Sequence, residues 1–394
     1  MNFATLAQPK AIWQWRNLMA MVLVLLLTGC GGSAKLGELF NDDPQAPSAA
    51  PAQGGKIALL LPLSGPGQNQ KIAVSLQQAA ELAITEAGGD PASLIIKDTA
   101  GSPETARIVA QAAIDEGAGI ILGPLISAEV QAVSPVASAA NVNVVAFTSI
   151  RAAAAPGTYL MSFLPDEEVS NVLRYAASKG YRNVSVLYPA NQYGAAIEKA
   201  ANEAVVREGA TLVSVQTYAR EATAIEQPAA TVAAAAKGEG AALLLPEGGQ
   251  MLRNVGLALQ ANGVDPRTTK ILGTGLWDDA LTRSTPIALS GWYAGVSPQL
   301  VQQFEQKFMK AYGNKPPRIA SLAYDAAVFA HRLTSTGDVS AAAITNPAGF
   351  QGANGLFRFR ENGLIERGLS ILQMGPGGPD IIAPAPAAFS SPAL

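Results

Sequence analysis

KIALLLPLSGPGQ, residues 56–68, sets the architecture that we expect for this chain. Its apolar run does not alternate with polar residues, which favours a strand buried on both faces in a parallel sheet covered by helices. A Ser-Gly-Pro-Gly turn follows at 64–67 and leads into an amphipathic segment, Gln70–Glu86, with helical spacing. Ser64 therefore lies at the carboxyl end of the first strand, where open α/β sheets bind ligands.

The same strand-turn-helix unit repeats along the chain in two series. The predicted strands are Ser93–Asp98, Gly119–Gly123 and Asn143–Thr148 in the first series, and Asn183–Tyr188, Thr211–Gln216, Ala241–Leu245 and Lys270–Gly273 in the second. This alternation with short loops predicts an α/β protein with mostly parallel sheets flanked by helices, and two series of similar length predict two lobes.

Other segments interrupt the repeat. Tyr159–Leu164 and Gly291–Val296 are predicted to cross between the lobes, and helices at Pro298–Tyr312 and Ile319–Leu333 to cover a sheet already formed. Phe357–Phe359 and Leu369–Met374 are predicted to form a closing hairpin around an Asn-Gly turn at 362–363.

Composition excludes one class of partner. The chain has 394 residues, 27 Lys+Arg against 30 Asp+Glu, and a net charge of -3. A nucleic-acid-binding protein would carry a basic patch or stripe, and the sequence has no basic run. Nucleic acid is therefore not expected as a partner, whereas low charge and abundant Ala and Gly favour a compact fold.

The amino-terminal segment resembles the export signal of bacterial lipoproteins. Lys10 and Arg16 precede an apolar stretch at 18–27 that is short for a transmembrane helix, and Leu27-Thr28-Gly29-Cys30 resembles a lipobox. The resemblance implies a signal peptide over 1–29, lipidation of Cys30 and a flexible tether over 30–55. An ordinary signal peptide or a signal anchor is the alternative. Gly31 after the cysteine favours a periplasmic lipoprotein of the cell envelope anchored in the outer membrane.

The order of the elements resembles the type I periplasmic binding fold, in particular the leucine/isoleucine/valine-binding receptors. The blocks that carry the resemblance are Ile57–Gly65 (IALLLPLSG), Gly123–Ser127 (GPLIS), Asn143–Ser149 (NVVAFTS), Val186–Gly194 (VLYPANQYG) and Ser321–Val328 (SLAYDAAV). It implies two lobes joined by three crossover strands, the third near Ile344–Phe350. Lobe 1 would span 56–160 plus 292–345, lobe 2 would span 161–291 plus 346–376, and 377–394 would form a loose tail.

The resemblance also implies a ligand site between the lobes. On lobe 1, Ser127 matches the family's ligand-contacting serine, and Thr148 with Ser149 matches the strand end that binds a carboxylate. On lobe 2, Tyr193 matches the family's aromatic residue, and Glu247 follows a neighbouring strand. Ser127 could instead be a helix N-cap, Tyr193 a packing residue, and Thr148 and Ser149 loop caps.

The sequence departs from the family at the end of one lobe 2 strand. Where the family has a Gly-Pro-Glu-Gly motif whose glutamate binds the ligand's amino group, this chain has Gly-Thr-Gly-Leu at 273–276, followed by Trp277 and Asp278. A glycine thus takes the place of the glutamate. Glu247 and Asp278 are the nearby carboxylates that could replace it, and Trp277 completes the candidate ligand-binding set.

Catalysis has little support. His331 is the single histidine and lies within a helical pattern, where a packed or surface role is the ordinary one. With one histidine and one cysteine the chain has no metal-ligand cluster, and no nucleophile elbow or phosphate-binding loop is present. We expect a protein that is not an enzyme and needs no cofactor.

Two functions fit these features. The first is a lipid-anchored receptor that closes on a small, amino-acid-like ligand and delivers it to a membrane permease of the ABC type. The second uses the same fold for protein contact, as in the carboxyl-terminal domain of LpoA-type activators of penicillin-binding proteins. Its partner would be a peptidoglycan synthase.

Overall fold

The computed structural model describes residues 55–65, 67–219 and 224–389, which form an α/β fold with two large sheets. The strands are β1 Lys56–Leu61, β2 Ile95–Asp98, β3 Ala118–Leu122, β4 Asn143–Ala146, β5 Thr158–Leu160, β6 Asn183–Pro189, β7 Thr211–Tyr218, β8 Ala241–Leu244, β9 Lys270–Gly273, β10 Trp292–Gly295, β11 Phe350–Gly352, β12 Gly355–Phe359, β13 Ile365–Arg367, β14 Ser370–Gly375 and β15 Gly378–Ala383. The α-helices are α1 Gln68–Glu86, α2 Pro103–Asp115, α3 Ser127–Ala139, α4 Pro165–Ser178, α5 Gln192–Arg207, α6 Glu226–Ala235, α7 Gly249–Ala261, α8 Ala280–Arg283, α9 Pro298–Tyr312, α10 Ala320–Thr336 and α11 Ala341–Ile344.

The first sheet contains β1, the apolar strand at the start of the described chain. Its order is β2-β1-β3-β4-β5, and every pairing is parallel. From Ile57 to Leu61 every residue of β1 is buried, as the unbroken apolar run predicts. Gly67 has a φ of 71°, a conformation that glycine adopts without strain, so the chain can turn sharply before α1.

The second sheet has the order β15-β14-β10-β9-β8-β6-β7. The five strands from β10 to β7 are parallel, whereas β14 and β15 join the other side as antiparallel strands. Along β8, Leu243 packs into one core cluster and Ala242 and Leu244 into another, because neighbouring side chains point to opposite faces. The predicted fold class, mostly parallel sheets flanked by helices, is confirmed.

The chain passes from one sheet to the other near the predicted positions. After β5 it enters α4, whose Val169 and Val172 pack with residues of the second sheet. After β10 it returns through α9 and α10, because Phe304 and Phe308 of α9 belong to the core of the first sheet.

Three predictions for the carboxyl-terminal part are wrong: the pairing of the hairpin, the position of the third crossover, and the assignment of β11 to β13 to lobe 2. The hairpin partner of β12 is β13, not Leu369–Met374, because β14 in that range pairs with β10 and β15. Ile344–Phe350 is not a crossover: Phe350 packs into the first core with aromatic residues of β12, and the chain reaches the second sheet only at β14. The strands β11 to β13 therefore pack with the first core although they lie in the range assigned to lobe 2. The other lobe boundaries stay predictions.

The predicted loose tail begins with an ordered strand. β15 pairs antiparallel with β14 across a glycine-rich turn at 375–378. Its Pro379 lacks an N–H donor, which an edge strand tolerates. Residues 390–394 lie outside the described part of the chain, as do Cys30 and the segments predicted as a signal peptide and a tether, up to residue 54. Within the described ranges, no helix is long and apolar enough to cross a bilayer.

Candidate functional site

The carboxyl edge of the first sheet brings four predicted residues to one side. Ser64 follows β1, Ser127 follows β3, and Thr148 and Ser149 follow β4, three strands that are neighbours in the sheet. Ser64 and Ser149 are exposed and Ser127 is half-buried. Their arrangement at adjacent strand ends is the one that open α/β sheets use for ligand binding.

The structure rejects a capping role for one of these residues and supports it for another. Ser127 is the first residue of α3 and the N-cap residue is Ile126, so the N-cap interpretation of Ser127 is wrong. Thr148 does cap its loop, because its Oγ1 accepts a hydrogen bond from the N–H of Ile150 at 3.2 Å. The N–H of Ser64 donates to Asp98 Oδ1 at 3.2 Å, which fastens the turn after β1 to the end of β2.

The carboxyl edge of the second sheet carries a connected set of polar groups, which we call the Glu168 cluster: Glu168, Tyr193, Thr274, Gly275 and Arg318. Glu168 is buried, and its two carboxylate oxygens have different partners. Oε1 accepts a hydrogen bond from Arg318 Nη2 at 3.0 Å, and Oε2 accepts one from the N–H of Gly275 at 3.0 Å. The hydroxyls of Tyr193 and Thr274 lie 3.1 Å apart.

The Glu168 cluster joins elements that belong to different sheets. Glu168 lies in the first turn of α4, where Pro165 begins the helix and the macrodipole favours acidic side chains. Arg318 precedes α10, whose side chains pack in the first core. The ion pair between them therefore connects a helix of the second sheet to a helix of the first.

A side chain at Gly275 would displace the ion pair. A Cβ at this position would lie 2.3 Å from Arg318 Nη2 and 2.4 Å from Glu168 Oε1, closer than unbonded atoms approach. In the family pattern the amino-binding glutamate belongs at 275. Here the carboxylate of Glu168 fills the adjoining space, and it is already paired with a guanidinium. The cluster thus contains both a carboxylate and its counter-ion.

Tyr193 is a half-buried member of this cluster. Burial and the nearby Glu168 carboxylate raise the pKa of the Tyr193 phenol well above its usual range, because both disfavour the phenolate. The hydroxyl therefore stays protonated at neutral pH. It can serve as a neutral hydrogen-bond donor or acceptor to a ligand.

The remaining predicted residues lie around this cluster in different environments. Glu247 is buried and accepts a hydrogen bond from the hydroxyl of Tyr218 at 2.8 Å. Trp277 is fully buried in the second core, and its Nε1 donates to the carbonyl of Leu245 at 3.2 Å. An indole with no exposed surface cannot touch a ligand directly, so Trp277 can affect the site only through the residues that it packs against. Asp278 is half-buried and pairs with Arg283 at 3.5 Å.

A cavity of about 340 Å³ adjoins the Glu168 cluster. Its lining comes from the loop after β9 and from α8, from Phe163 and Val296 at the two crossings, from α9, from the segment before α10, and from Asn354. The lining residues are Phe163, Asp278, Asp279, Ala280, Arg283, Val296, Val301, Phe304, Glu305, Lys315, Pro316, Pro317, Arg318, Ser321 and Asn354. Elements of both sheets therefore enclose this space.

Among the described residues, no hydrogen bond joins Ser127 or Ser149 to Tyr193. The structure thus places Tyr193 beside residues that the sequence analysis did not select, namely Thr274, Glu168 and Arg318. One local signal was available: three consecutive acids at 166–168 follow a proline, but that pattern is typical of any helix start. No group of His, Cys, Asp and Glu in the described ranges could hold a metal ion.

Comparisons with known proteins agree with this architecture. A family model described as periplasmic binding protein matches residues 55–379. A search of curated protein sequences finds no match. The structure of a putative branched-chain amino acid ABC transporter protein from Rhodospirillum rubrum is similar, with a TM-score of 0.70 and 19% identity, covering 83% of this chain and 99% of that one.

Two further structures are similar in fold. One is a solute-binding protein of an ABC transporter from Rhodopseudomonas palustris BisB5, in complex with 3,4-dihydroxybenzoic acid, with a TM-score of 0.61 and 21% identity over 85% of this chain and 97% of that one. The other is full-length LpoA from Haemophilus influenzae, with a TM-score of 0.64 and 17% identity over 83% of this chain and 58% of that one. At such identities the likeness shows the fold alone. Because the family model covers most of the sequence and the fold agrees with it, the chain belongs to the periplasmic binding protein family.

Proposed function

We propose that this protein is an extracytoplasmic solute-binding protein that takes a small ligand between its two sheets and delivers it to a membrane permease of the ABC type. The observation that carries the proposal is the cavity of about 340 Å³ beside the Glu168 cluster, which elements of both sheets enclose. Its volume lies within the range of small-molecule sites, and its lining combines seven apolar residues with six charged and two other polar residues.

Two kinds of polar group are available to a ligand. The exposed hydroxyl of Ser149 and the half-buried hydroxyl of Ser127 lie at strand ends of the first sheet, whereas the Ser64 side chain already hydrogen-bonds Asp98. The phenol of Tyr193 and the guanidinium of Arg318 lie at the edge of the second, and of these groups only Arg318 lines the cavity. A ligand that contacts both edges would favour the closed arrangement of the sheets by its differential affinity. Two of the similar structures are ABC transporter proteins, which supports transport as the biological role.

Thermal melting against a panel of small carboxylates, amino acids and amides tests the proposal. A ligand that binds only the folded state raises the melting temperature by mass action. We expect a concentration-dependent rise with at least one panel ligand, reduced in Tyr193→Ala and Ser127→Ala. Ser138→Ala is the matched control, because Ser138 lies exposed at the other end of α3. No rise with any panel ligand would contradict solute binding.

A second candidate function is protein contact, in which this protein would activate a penicillin-binding protein. The specific observation that favours it is the Glu168–Arg318 pair, because a chain that supplies its own cation beside the family's amino-binding position has less need of a ligand there. LpoA is among the similar structures. Co-purification of a peptidoglycan synthase with the tagged protein, without any ligand-induced rise in melting temperature, would favour this candidate.

Membrane attachment through Cys30 is part of both candidates and is also a proposal. Labelling cells with a radioactive fatty acid tests it. The wild-type chain is expected to incorporate the label and Cys30→Ser is not. Equal labelling of both would contradict it.

A further inference from the structure

We propose that Arg318 makes this cavity selective for monocarboxylates with an apolar body, and that it excludes ligands with an α-ammonium group. The inference rests on the proposed solute-binding function, since it names the chemical class of the ligand. It differs from the family's pattern, in which a carboxylate in the second lobe attracts an amino group.

The guanidinium of Arg318 has N–H donors that remain open to a ligand. In the described part of the chain its guanidinium has one hydrogen-bond partner, Glu168, which accepts from Nη2 at 3.0 Å. A guanidinium carries five N–H donors in a planar fork, so donors remain for a second acceptor. Arg318 is 29% exposed at its side chain and lines the cavity. Its plane lies over the ring of Phe163, with 3.8 Å between the guanidinium carbon and the ring centroid, which holds the fork in one orientation.

Each of the three carboxylates in the described lining of the cavity is already engaged. Asp278 pairs with Arg283 at 3.5 Å, and Glu305 pairs with Lys315 at 2.9 Å. Asp279 has no cation as a partner but caps α8, because its Oδ2 accepts from the N–H of Thr282 at 3.0 Å. An ammonium entering this space would lose its hydration and have to compete with these partners for a carboxylate, which is unfavourable.

Part of the cavity wall is apolar. Val301 and Phe304 of α9, Pro316, Pro317 and Phe163 give the cavity an apolar lining against which a hydrocarbon body can pack. The two buried polar residues of the lining, Ser321 and Asn354, already have partners. The hydroxyl of Ser321 lies 2.8 Å from the carbonyl of Arg318 and 3.0 Å from Asn354 Oδ1, and Asn354 Nδ2 donates to Asp325 at 2.7 Å. They fix the backbone of Arg318. The other two cations of the lining, Arg283 and Lys315, pair with carboxylates that also line the cavity, whereas the partner of Arg318, Glu168, lies outside the lining.

Calorimetric titration of the purified full chain with a matched pair of ligands tests the inference. The pair is 4-methylpentanoate and leucine, which share a carboxylate and an isobutyl body and differ in the α-ammonium group. Benzoate serves as a flat third probe. We expect 4-methylpentanoate or benzoate to bind at least about tenfold more tightly than leucine, because the ammonium would have to compete for carboxylates that are already engaged. Arg318→Gln should weaken carboxylate binding by about tenfold or more.

Two further variants keep the test decisive. Arg267→Gln removes an exposed arginine that pairs with Asp265 outside the cavity lining, and it should leave affinity unchanged. Arg318→Lys keeps the charge but loses the fork, and we expect a several-fold loss even if Arg318→Gln fails to fold. Equal or tighter binding of leucine, or carboxylate binding unaffected in both Arg318 variants, overturns the inference while the proposed function stands. No heat with any of the three probes, together with no rise in melting temperature across the whole panel, overturns both.

Discussion

The carboxyl edges of the two sheets use their polar groups in opposite ways. At the first edge, the Ser149 side chain is exposed and that of Ser127 is half-buried. At the second edge, Glu168 pairs with Arg318, and Glu247 accepts a hydrogen bond from Tyr218. The polar groups of the second edge are therefore engaged inside the protein, whereas hydroxyls of the first edge reach the surface. The comparison teaches that two parallel sheets of one fold can end in edges with different hydrogen-bonding states.

The largest expected effect follows from removing the carboxylate of the Glu168 cluster. Glu168→Ala leaves the partly buried guanidinium of Arg318 without its ionic partner and the N–H of Gly275 without an acceptor. We expect the free energy of unfolding to fall by about 2 kcal/mol or more, measured by urea denaturation. Glu104→Ala, which removes an exposed helical pair with Arg107, is the control and should change it by less than about 0.5 kcal/mol. Equal effects of the two substitutions would show that the second edge does not depend on this pair.

A smaller effect is expected from crowding the same pair. Gly275→Ala places a Cβ 2.3 Å from Arg318 Nη2, so the ion pair has to move. We expect a loss of about 1–2 kcal/mol in the free energy of unfolding, with weaker carboxylate binding by calorimetry. Gly377→Ala is the matched control, because a Cβ there meets nothing within 4 Å, and it should be close to neutral. A Gly275→Ala variant as stable as wild type would contradict the close packing of this cluster.

Alkaline pH should weaken the second edge through its tyrosine. Burial and the Glu168 carboxylate raise the pKa of Tyr193 in the folded state, whereas an unfolded tyrosine titrates near pH 10, so the folded chain retains a proton that the unfolded chain loses. Stability from this group is complete below about pH 10 and falls as pH rises further, by at most about 1.4 kcal/mol per pH unit.

Tyr193→Phe tests that dependence. Urea denaturation at several pH values between about 9 and 11 should show a shallower decline of the unfolding free energy in the variant than in wild type. Burial and Glu198 also raise the pKa of Tyr188, to about 12, so part of the decline should persist. Identical slopes for wild type and Tyr193→Phe would contradict the buried environment of this phenol.

The smallest effect concerns the outer pair of the acidic turn of α4. Asp166 pairs with Arg151, whose side chain is largely exposed, so water and salt screen the interaction. We expect Arg151→Ala to change the free energy of unfolding by less than about 1 kcal/mol, and the change to shrink in high salt. A loss as large as that of Glu168→Ala would mean that the outer and inner pairs are equivalent.

The sequence predicted the parts of this fold that local patterns determine. β1 and the strands of both parallel series appear as apolar runs, and their turns contain glycine, proline or serine. The hairpin partner of β12 was missed because β13 has three residues, too few for a periodic signal. β15 was missed because proline and glycine at 376–379 conceal a short edge strand.

The candidate site was predictable only in part. Tyr193 and the serines of the first edge followed from motifs with fixed spacing. Glu168 and Arg318 are 150 residues apart, and each lies at an ordinary helix start, so nothing local indicates that they meet. Only the fold brings them together. The glycine at 275 was visible as a departure from the family, but its reason, the space that the ion pair requires, becomes clear only in three dimensions.

The most direct test of the account is the distance between the two edges with and without ligand. Spin labels at Ala128→Cys and Leu276→Cys, two exposed positions on opposite edges, in a Cys30→Ser background, report that distance by pulsed electron paramagnetic resonance. The account predicts that 4-methylpentanoate shortens the distance distribution and that leucine at the same concentration leaves it unchanged. A distribution that stays the same with every ligand of the panel would contradict the claim that the two edges enclose one solute site.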